Sequence, residues 1–150
     1  MPHSYNKIWV HTVWGTKLRK PLIISQIEST VFNLMREELR NMGCPVRIVN
    51  GMPDHVHCLF LLNPKMAITD IVKQVKGGSS HSINQGKLMV EKFAWQSGFG
   101  AFSVSESAVE KVYRYILTQK EHHKKQTFLD EYKAFLQIHG MLGDFVEDNV

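Results

Sequence analysis

The stretch from Asn50 to Leu62, NGMPDHVHCLFLL, constrains the fold of this chain more than any other segment. Asn-Gly and Pro-Asp are turn-forming pairs, and the apolar run after them is short and bounded, as in a β-strand. His55 and His57 therefore open a strand. Because side chains alternate faces along a strand, the two imidazoles point the same way. Such a pair can share one cation, or it can be two packing residues at the mouth of a buried strand.

Composition limits the class of protein. A chain of 150 residues has the length of one domain with a sizeable core, so residues 1–150 are predicted to form a single domain. The net charge of +4 permits a polyanionic partner without requiring one. Cys44 and Cys58 are too few for a disulfide scaffold, and no segment resembles a membrane span. We therefore expect a cytoplasmic protein with no membrane partner.

Hydrophobic patterning predicts the order β, α, β, β, α, β. Strands are predicted at Lys7–Trp14, at Pro45–Asn50, from His55 and at Gly100–Val104. A Ser25/Glu28 capping box opens the first helix, and Gly77-Gly78 ends the second. This order matches an α+β, ferredoxin-like (RRM-like) antiparallel sheet with helices on one face. The other face, which carries the histidines, is then left for a C-terminal helix that bears a tyrosine.

A late helix carries a second group of polar residues. A capping box of Ser107 and Glu110 predicts a helix to about position 120. At about 100° per residue, Tyr113 falls in the apolar stripe, whereas Tyr115 and Gln119 lie one turn apart on a flank. Tyr115 is therefore free to face a site. Taken alone, the helix favours the interpretation of Tyr115 and Gln119 as two ordinary surface residues.

Three other features are interpreted as structural. His11, in the first strand, is interpreted as a packing residue. The segment Lys76–His81 is interpreted as a helix end and a loop, although its backbone N–H groups could approach a phosphate. A final helix, capped by Thr127 and ending at Gly140, carries an apolar stripe and is interpreted as packing.

Two basic groups could contact phosphates. The first is the loop after the first strand, with Lys17, Arg19 and Lys20, and the second lies at the predicted end of the second helix, with Lys73 and Lys76. Phosphate contacts require only well-placed cations. Solvated surface lysines would give the same pattern.

Three motifs together carry a resemblance to a known family. The PDHVH strand, the TKLR loop and the YILTQ helix resemble the single-tyrosine HUH transposases of small bacterial insertion sequences, which move as single-stranded DNA. REP-associated tyrosine transposases are relatives. The resemblance implies that His55, His57 and Gln119 hold a divalent metal ion, Mg²⁺ or Mn²⁺. It also implies that Tyr115 is the nucleophile.

The resemblance also implies a reaction and its partners. Tyrosine would cut single-stranded DNA at hairpin-marked element ends, leaving a 5′-phosphotyrosine that a second strand end resolves, in a homodimer. A phosphotyrosine retains the bond energy needed for rejoining, so no ATP is required. Two alternatives remain. One is an HUH nickase with a cellular or replication role, and the other is a non-catalytic nucleic-acid-binding module.

Overall fold

The structure is a computed structural model in which residues 3–138 are described. The strands are β1 (Trp9–Gly15), β2 (Val46–Met52), β3 (His55–Leu61) and β4 (Gly100–Val104). The α-helices are α1 (Glu28–Asn41), α2 (Ile68–Gln85), α3 (Val109–Leu117), α4 (Gln119–His122) and α5 (Phe128–Ile138). Short 3₁₀ helices span Lys17–Arg19 and Glu106–Ala108. Within residues 3–138, no helix combines the length and the apolar character needed to cross a membrane.

The four strands form one antiparallel sheet in the order β2-β3-β1-β4. Together with the chain order, this is the ferredoxin-like arrangement predicted from the sequence. Helices α1 and α2 pack on one face, around Val56, Cys58 and Phe60. Helices α3 and α5 pack on the other, against Leu59 and Val13 respectively. The predicted placement of the tyrosine helix on the face opposite the first two helices is therefore confirmed.

The connection between β2 and β3 differs from the prediction. Asn50 and Gly51 lie within β2, which runs on to Met52, and the following Pro-Asp pair forms the turn. A Cβ atom on Gly51 would lie 2.2 Å from the backbone oxygen of His55, so this glycine permits a close approach of two strands. The turn expected at Asn50-Gly51 is wrong for this reason. As a consequence, Asn50 pairs directly opposite His57.

Helix α2 continues through the glycine pair that was expected to end it. It runs to Gln85, so the predicted loop at Lys76–His81 is helical and its backbone N–H groups lie within a helix. Glycine costs a helix about 1 kcal/mol relative to alanine. In α2 it allows close packing, because a Cβ atom on Gly78 would lie 2.2 Å from Oε1 of Glu38 on α1. The two lysines of the second basic group therefore lie in mid-helix rather than at a helix end.

Neither predicted capping box forms. Helix α1 begins without a side-chain cap, and the box predicted at residues 107–110 is replaced by a 3₁₀ turn that leads into α3 at Val109. Glu110 pairs instead with Arg47 of β2, at 3.0 Å. The late helix is also broken at Thr118, which separates α3 from α4. The continuous helix expected to position 120 is thus two pieces.

Candidate active site

The two histidines of β3 lie side by side on one face of the sheet, as strand alternation predicted. Both side chains are fully buried, with ring centroids 5.3 Å apart. Nδ1 of His55 donates a hydrogen bond to Oδ1 of Asp54, at 2.8 Å. Burial by itself lowers the pKa of His55, but hydrogen bonds to Asp54 and Glu131 outweigh it and raise the pKa to about 8.

His57 occupies a different electrostatic environment. Its Nδ1 lies 2.8 Å from Nε2 of His11, and its Nε2 lies 2.8 Å from Oε1 of Glu131. Burial is the largest effect on this ring and lowers the pKa of His57 below its usual value, despite the hydrogen bond to Glu131. Burial therefore favours the neutral form of His57, in contrast to His55.

Helices α3 and α4 bring Tyr115 and Gln119 to the histidines. Gln119 is fully buried, and its Oε1 lies 3.1 Å from Nε2 of His55. Tyr115 lies edge-on to the ring of His57, at 6.1 Å between centroids. Tyr113 instead packs under Arg47, whose guanidinium carbon is 3.8 Å from the ring centroid. The two tyrosines thus face different surroundings, as their helical positions indicated.

The central group of the site is Glu131 of α5, which sequence reasoning missed. Its carboxylate is 1% exposed. Oε1 faces Nε2 of both His55 and His57, and Oε2 accepts hydrogen bonds from the hydroxyl of Tyr115 and, at 3.2 Å, from the amide of Gln119. A fifth contact joins Oε2 to Nε2 of His123, at 3.1 Å. One carboxylate therefore connects all of the residues assigned to the site.

These contacts change the pKa values of Glu131 and Tyr115 in opposite directions. Burial by itself raises the pKa of Glu131, but hydrogen bonds from His123, His55 and His57 hold it far below its usual value. Burial and the hydrogen bond to the Glu131 anion raise the pKa of Tyr115 above its usual value. In this arrangement the carboxylate is ionised and the phenol is protonated.

A signal for Glu131 was present in the sequence. Helix α5 is capped as predicted, since Thr127 Oγ1 accepts the N–H of Asp130 at 3.2 Å, and its predicted end at Gly140 lies outside the described residues. Glu131 is three residues after Phe128 and four before Phe135, so it falls within the apolar stripe. An acidic residue on a buried stripe requires a partner. The interpretation of this helix as packing alone is therefore incomplete.

The donor atoms suit a shared cation. One ring nitrogen from each of His55 and His57 and a carboxylate oxygen of Glu131 all lie within 4.8 Å of one another. The separations involving Glu131 Oε1 are 3.4 Å to His55 and 2.8 Å to His57. Ligands bonded to one ion at about 2.1 Å lie about 3 Å apart when they are adjacent. The set of nitrogen and oxygen donors therefore fits a divalent metal ion.

Comparison with known proteins identifies the family. The model of the family described as "Transposase IS200 like" matches residues 4–119, more than half of the chain. The chain belongs to the IS200-like transposases. The matched region contains both histidines, Tyr115 and Gln119, and it ends before α5 begins.

Individual relatives agree with this assignment. The IS200-like chain is 28% identical over 116 residues to the ISDra2 transposase TnpA of Deinococcus radiodurans, covering 74% of this chain and 83% of that protein. It also resembles a crystal structure of a candidate transposase from Deinococcus radiodurans R1, with 25% identity, a TM-score of 0.62, and coverage of 77% of this chain and 93% of that one. A REP-associated tyrosine transposase bound to a REP hairpin shares the fold, with 16% identity, a TM-score of 0.60, and coverage of 81% and 72%.

Helix α5 covers the site of this IS200-like transposase. Phe128 stacks on the ring of His55, with centroids 4.3 Å apart and planes inclined by 9°. Phe135 lies edge-on to Tyr115 at 5.6 Å. A cavity of about 350 Å³ adjoins the covered site and is lined by residues that include Arg19, Asp54 and His123. The reactive groups are thus closed over by α5, with an opening at the turn between β2 and β3.

The five basic residues that the sequence analysis proposed for phosphate contacts occupy two separate regions. Lys17 and Lys20 are exposed and Arg19 is half-buried, beside the cavity at the site. Lys73 is exposed on α2, which packs on the sheet face away from the histidines. Lys76 donates to the carbonyl oxygens of Gln96 and Gly98, at 3.0 and 2.5 Å, and burial lowers its pKa to about 8.

Proposed function

We propose that this IS200-like transposase cuts and rejoins single-stranded DNA, with Tyr115 as nucleophile beside a divalent cation. The observation that carries the proposal is a convergence: the hydroxyl of Tyr115 and the Nε2 atoms of His55 and His57 all contact the Glu131 carboxylate. A phosphodiester is an anion, so attack on it requires a nucleophile held close to positive charge. The site provides this proximity within a single chain.

The cation would be held by His55, His57, Gln119 and Glu131. The sequence indicated three neutral ligands, and Glu131 adds one negative charge to that set. When bound, the metal would supply Lewis-acid stabilisation of the charge on the phosphate. Imidazole ligands tolerate Mn²⁺ better than Mg²⁺, so we propose Mn²⁺ or Mg²⁺ with a preference for Mn²⁺.

Tyrosine suits a reversible cut. The phenol oxygen of Tyr115 forms a bond to phosphorus, the bond from phosphorus to the 3′ oxygen breaks, and a 5′-phosphotyrosine remains. The phenol proton passes to solvent, and the departing 3′ oxygen takes a proton to become a hydroxyl. With an ordinary pKa of about 10, tyrosine is also a good leaving group, so a second 3′-hydroxyl can reverse the step.

The contact between Tyr115 and Glu131 has to open before this attack. As a hydrogen-bond donor to Glu131 the phenol is held protonated, which makes it a weak nucleophile. Phe128 and Phe135 also exclude a DNA phosphate from the face that they cover. We therefore propose that, when DNA binds, the side chain of Tyr115 turns away from Glu131 and the aromatic side chains of α5 give way to the phosphate.

The first basic group is well placed for the DNA backbone. Arg19 lines the cavity beside the site, and Lys17 and Lys20 are exposed next to it. We propose that these three contact phosphates on both sides of the cut. Lys73 and Lys76 remain a proposed second contact, which would require the strand to reach the other side of the sheet.

The partners follow from the family. We propose hairpin DNA at element ends, a homodimer in which each chain is one domain over residues 1–150, and a cytoplasmic setting. The REP-associated relative of the same fold was solved with a REP hairpin, which supports a hairpin partner. Cys44 and Cys58 are free and buried, which supports a reducing compartment. Sedimentation of the chain with and without hairpin DNA would test the dimer.

Two other functions are compatible with the same residues. A nickase with a cellular or replication role would make the same cut, and palindromes flanking the gene on both sides would favour the mobile element instead. A non-catalytic binding module would bind hairpins and form no covalent product. The DNA that flanks the gene distinguishes the nickase from our proposal. The presence or absence of a covalent protein–DNA product distinguishes the binding module.

The proposal is tested with element-end oligonucleotides labelled at either end and incubated with Mn²⁺. We expect a protein–DNA adduct that retains the label on the 3′ side of the cut, because tyrosine joins to the 5′ phosphate. The adduct should form on single strands and not on the fully paired duplex. Cleavage that yields no adduct would indicate water as the nucleophile and would contradict the proposal.

A further inference from the structure

His11 of β1 makes a buried contact that packing does not require. Its side chain is 3% exposed, and its Nε2 lies 2.8 Å from Nδ1 of His57. The two rings are inclined by 27°, with centroids 5.1 Å apart. Phe102 and Phe135 pack against His11 from other directions. The nitrogen contact is therefore a hydrogen bond between two buried imidazoles.

The hydrogen bond between the two imidazoles contains one hydrogen, which belongs to either His11 or His57. Which ring carries it depends on the contact that Nε2 of His57 makes on the other side of that ring. Nε2 of His57 faces Oε1 of Glu131 at 2.8 Å, and an ionised carboxylate can only accept. In this arrangement Nε2 carries the hydrogen. A neutral His57 then has a bare Nδ1, so His11 donates from its Nε2.

A metal ion bound to His57 would exchange the donor and acceptor roles of the two histidines. Nε2 of His57 can bind a cation only through its lone pair, so the ring hydrogen must then lie on Nδ1. That buried N–H needs an acceptor, since an unpaired buried donor is costly. His11 becomes the acceptor when its own hydrogen lies on Nδ1. Imidazole can serve in both roles without moving, because it has two tautomers.

We infer that His11 is a positioning residue that sets the tautomer of His57 and so presents Nε2 of His57 to the cation. The inference rests on the proposed function, because it assumes that His57 is a metal ligand. Partners of metal-bound histidines commonly hold the ring and raise its basicity in this way. The alternative is that His11 only fills space between Phe102 and Phe135.

Substitutions of His11 distinguish a positioning role from simple packing. His11→Phe keeps a flat ring and removes both nitrogens, whereas His11→Gln keeps a donor and an acceptor on one side chain. Thr12→Val is the matched control, because Thr12 is equally buried on the same strand and points to the opposite face. Calorimetry with Mn²⁺ gives the affinity, and thermal unfolding gives the stability of each variant.

We expect His11→Phe to weaken Mn²⁺ binding by about 10- to 100-fold, a typical loss for such a partner. His11→Gln should recover most of the affinity, and Thr12→Val should bind Mn²⁺ like the unaltered chain. Unaltered affinity in a folded His11→Phe variant would overturn the inference. A His57→Ala variant measured in parallel tests the proposed function separately, since full Mn²⁺ affinity in that variant would remove His57 from the site altogether.

A second measurement needs no variant. Long-range ¹⁵N NMR of the imidazoles, with diamagnetic Mg²⁺ in excess, reports which nitrogen carries each hydrogen. The inference predicts hydrogen on Nδ1 of His57 and none on Nε2 of His11. A hydrogen found on Nε2 of His11 under those conditions would contradict it, whatever the stability of His11→Phe.

Discussion

Asn50 lies directly opposite His57 in the β2–β3 ladder, and its side chain crosses to the tyrosine helix. Nδ2 of Asn50 donates to the carbonyl oxygens of Ile116 and Leu117, at 2.9 and 3.3 Å. These two carbonyls lie at the end of α3, beside the break at Thr118 that separates α3 from α4. One side chain thus links β2, the neighbour of the histidine strand, to the helix that carries Tyr115.

Removing the hydrogen bonds from Asn50 to α3 should displace Tyr115, the proposed nucleophile. We expect Asn50→Ala to lower the rate of adduct formation at saturating DNA and Mn²⁺ by at least tenfold, because small displacements are costly in catalysis. Asn63→Ala is the control, since Asn63 also donates to a backbone carbonyl, that of Met42, away from the site. Equal rates for the two variants would show that Asn50 has only a structural role.

Glu131 should contribute to metal binding and to the state of Tyr115. We expect Glu131→Gln to weaken Mn²⁺ binding at least tenfold, since an anionic ligand is lost. It should also lower the pKa of Tyr115, because the anion that raises that pKa is removed. Calorimetry and ultraviolet titration of the phenol measure the two effects.

Glu121→Gln is the control for this substitution, because Glu121 is exposed on α4 and forms an ion pair with Lys124. Normal Mn²⁺ affinity in Glu131→Gln would exclude the carboxylate as a ligand. A Tyr115 pKa that did not fall would show that the hydrogen bond to Glu131 has no electrostatic effect.

The basic loop should determine the salt dependence of DNA binding. Each lost phosphate contact lowers the slope of log K against log salt by about 0.7 for single strands. We therefore expect Arg19→Ala to weaken binding to all sequences alike and to flatten the slope by about that amount. Lys73→Ala, on the other face, tests the second basic group by the same measurement. An unchanged slope for either variant would remove that residue from the phosphate contacts.

Alanine substitutions at Gly51 and Gly77 should change the free energy of unfolding in opposite directions. Gly51→Ala places a methyl group against the backbone of β3, which a fixed strand cannot avoid, and should lower the free energy of unfolding by about 1–3 kcal/mol. Gly77→Ala meets no atom within 4 Å in α2 and should raise that free energy by about 0.5–1 kcal/mol. Denaturant unfolding measures both, and a stable Gly51→Ala chain would refute the close approach.

Local periodicity explains which parts of the site could be predicted. Alternation placed His55 and His57 on one face, and helical spacing separated Tyr115 from Tyr113, because both patterns depend on neighbours in sequence. Glu131 is 74 residues from His57, and no local pattern specifies where α5 docks. Its position on the apolar stripe shows burial but not the partner.

The fold was predicted from strand order, while its details depended on tertiary contacts. Asn50-Gly51 and Gly77-Gly78 are ordinary punctuation signals. In the folded chain Gly51 permits the close approach of β3, and Gly78 permits the close approach of a side chain of α1. Gly51 and Gly78 are required by contacts with other elements of the folded chain. The sequence alone therefore could not distinguish them from glycines at turns and helix ends.

The central claim is that Tyr115 is the residue that joins to DNA. The most direct measurement compares Tyr115→Phe with Tyr113→Phe, each incubated with Mn²⁺ and a labelled single-stranded element end and then run on a denaturing gel. Tyr113 packs under Arg47 and controls for the loss of a phenol on the same helix. We predict that Tyr113→Phe forms the covalent adduct and that Tyr115→Phe forms none, while both bind the DNA. An adduct that persists in Tyr115→Phe would contradict the account.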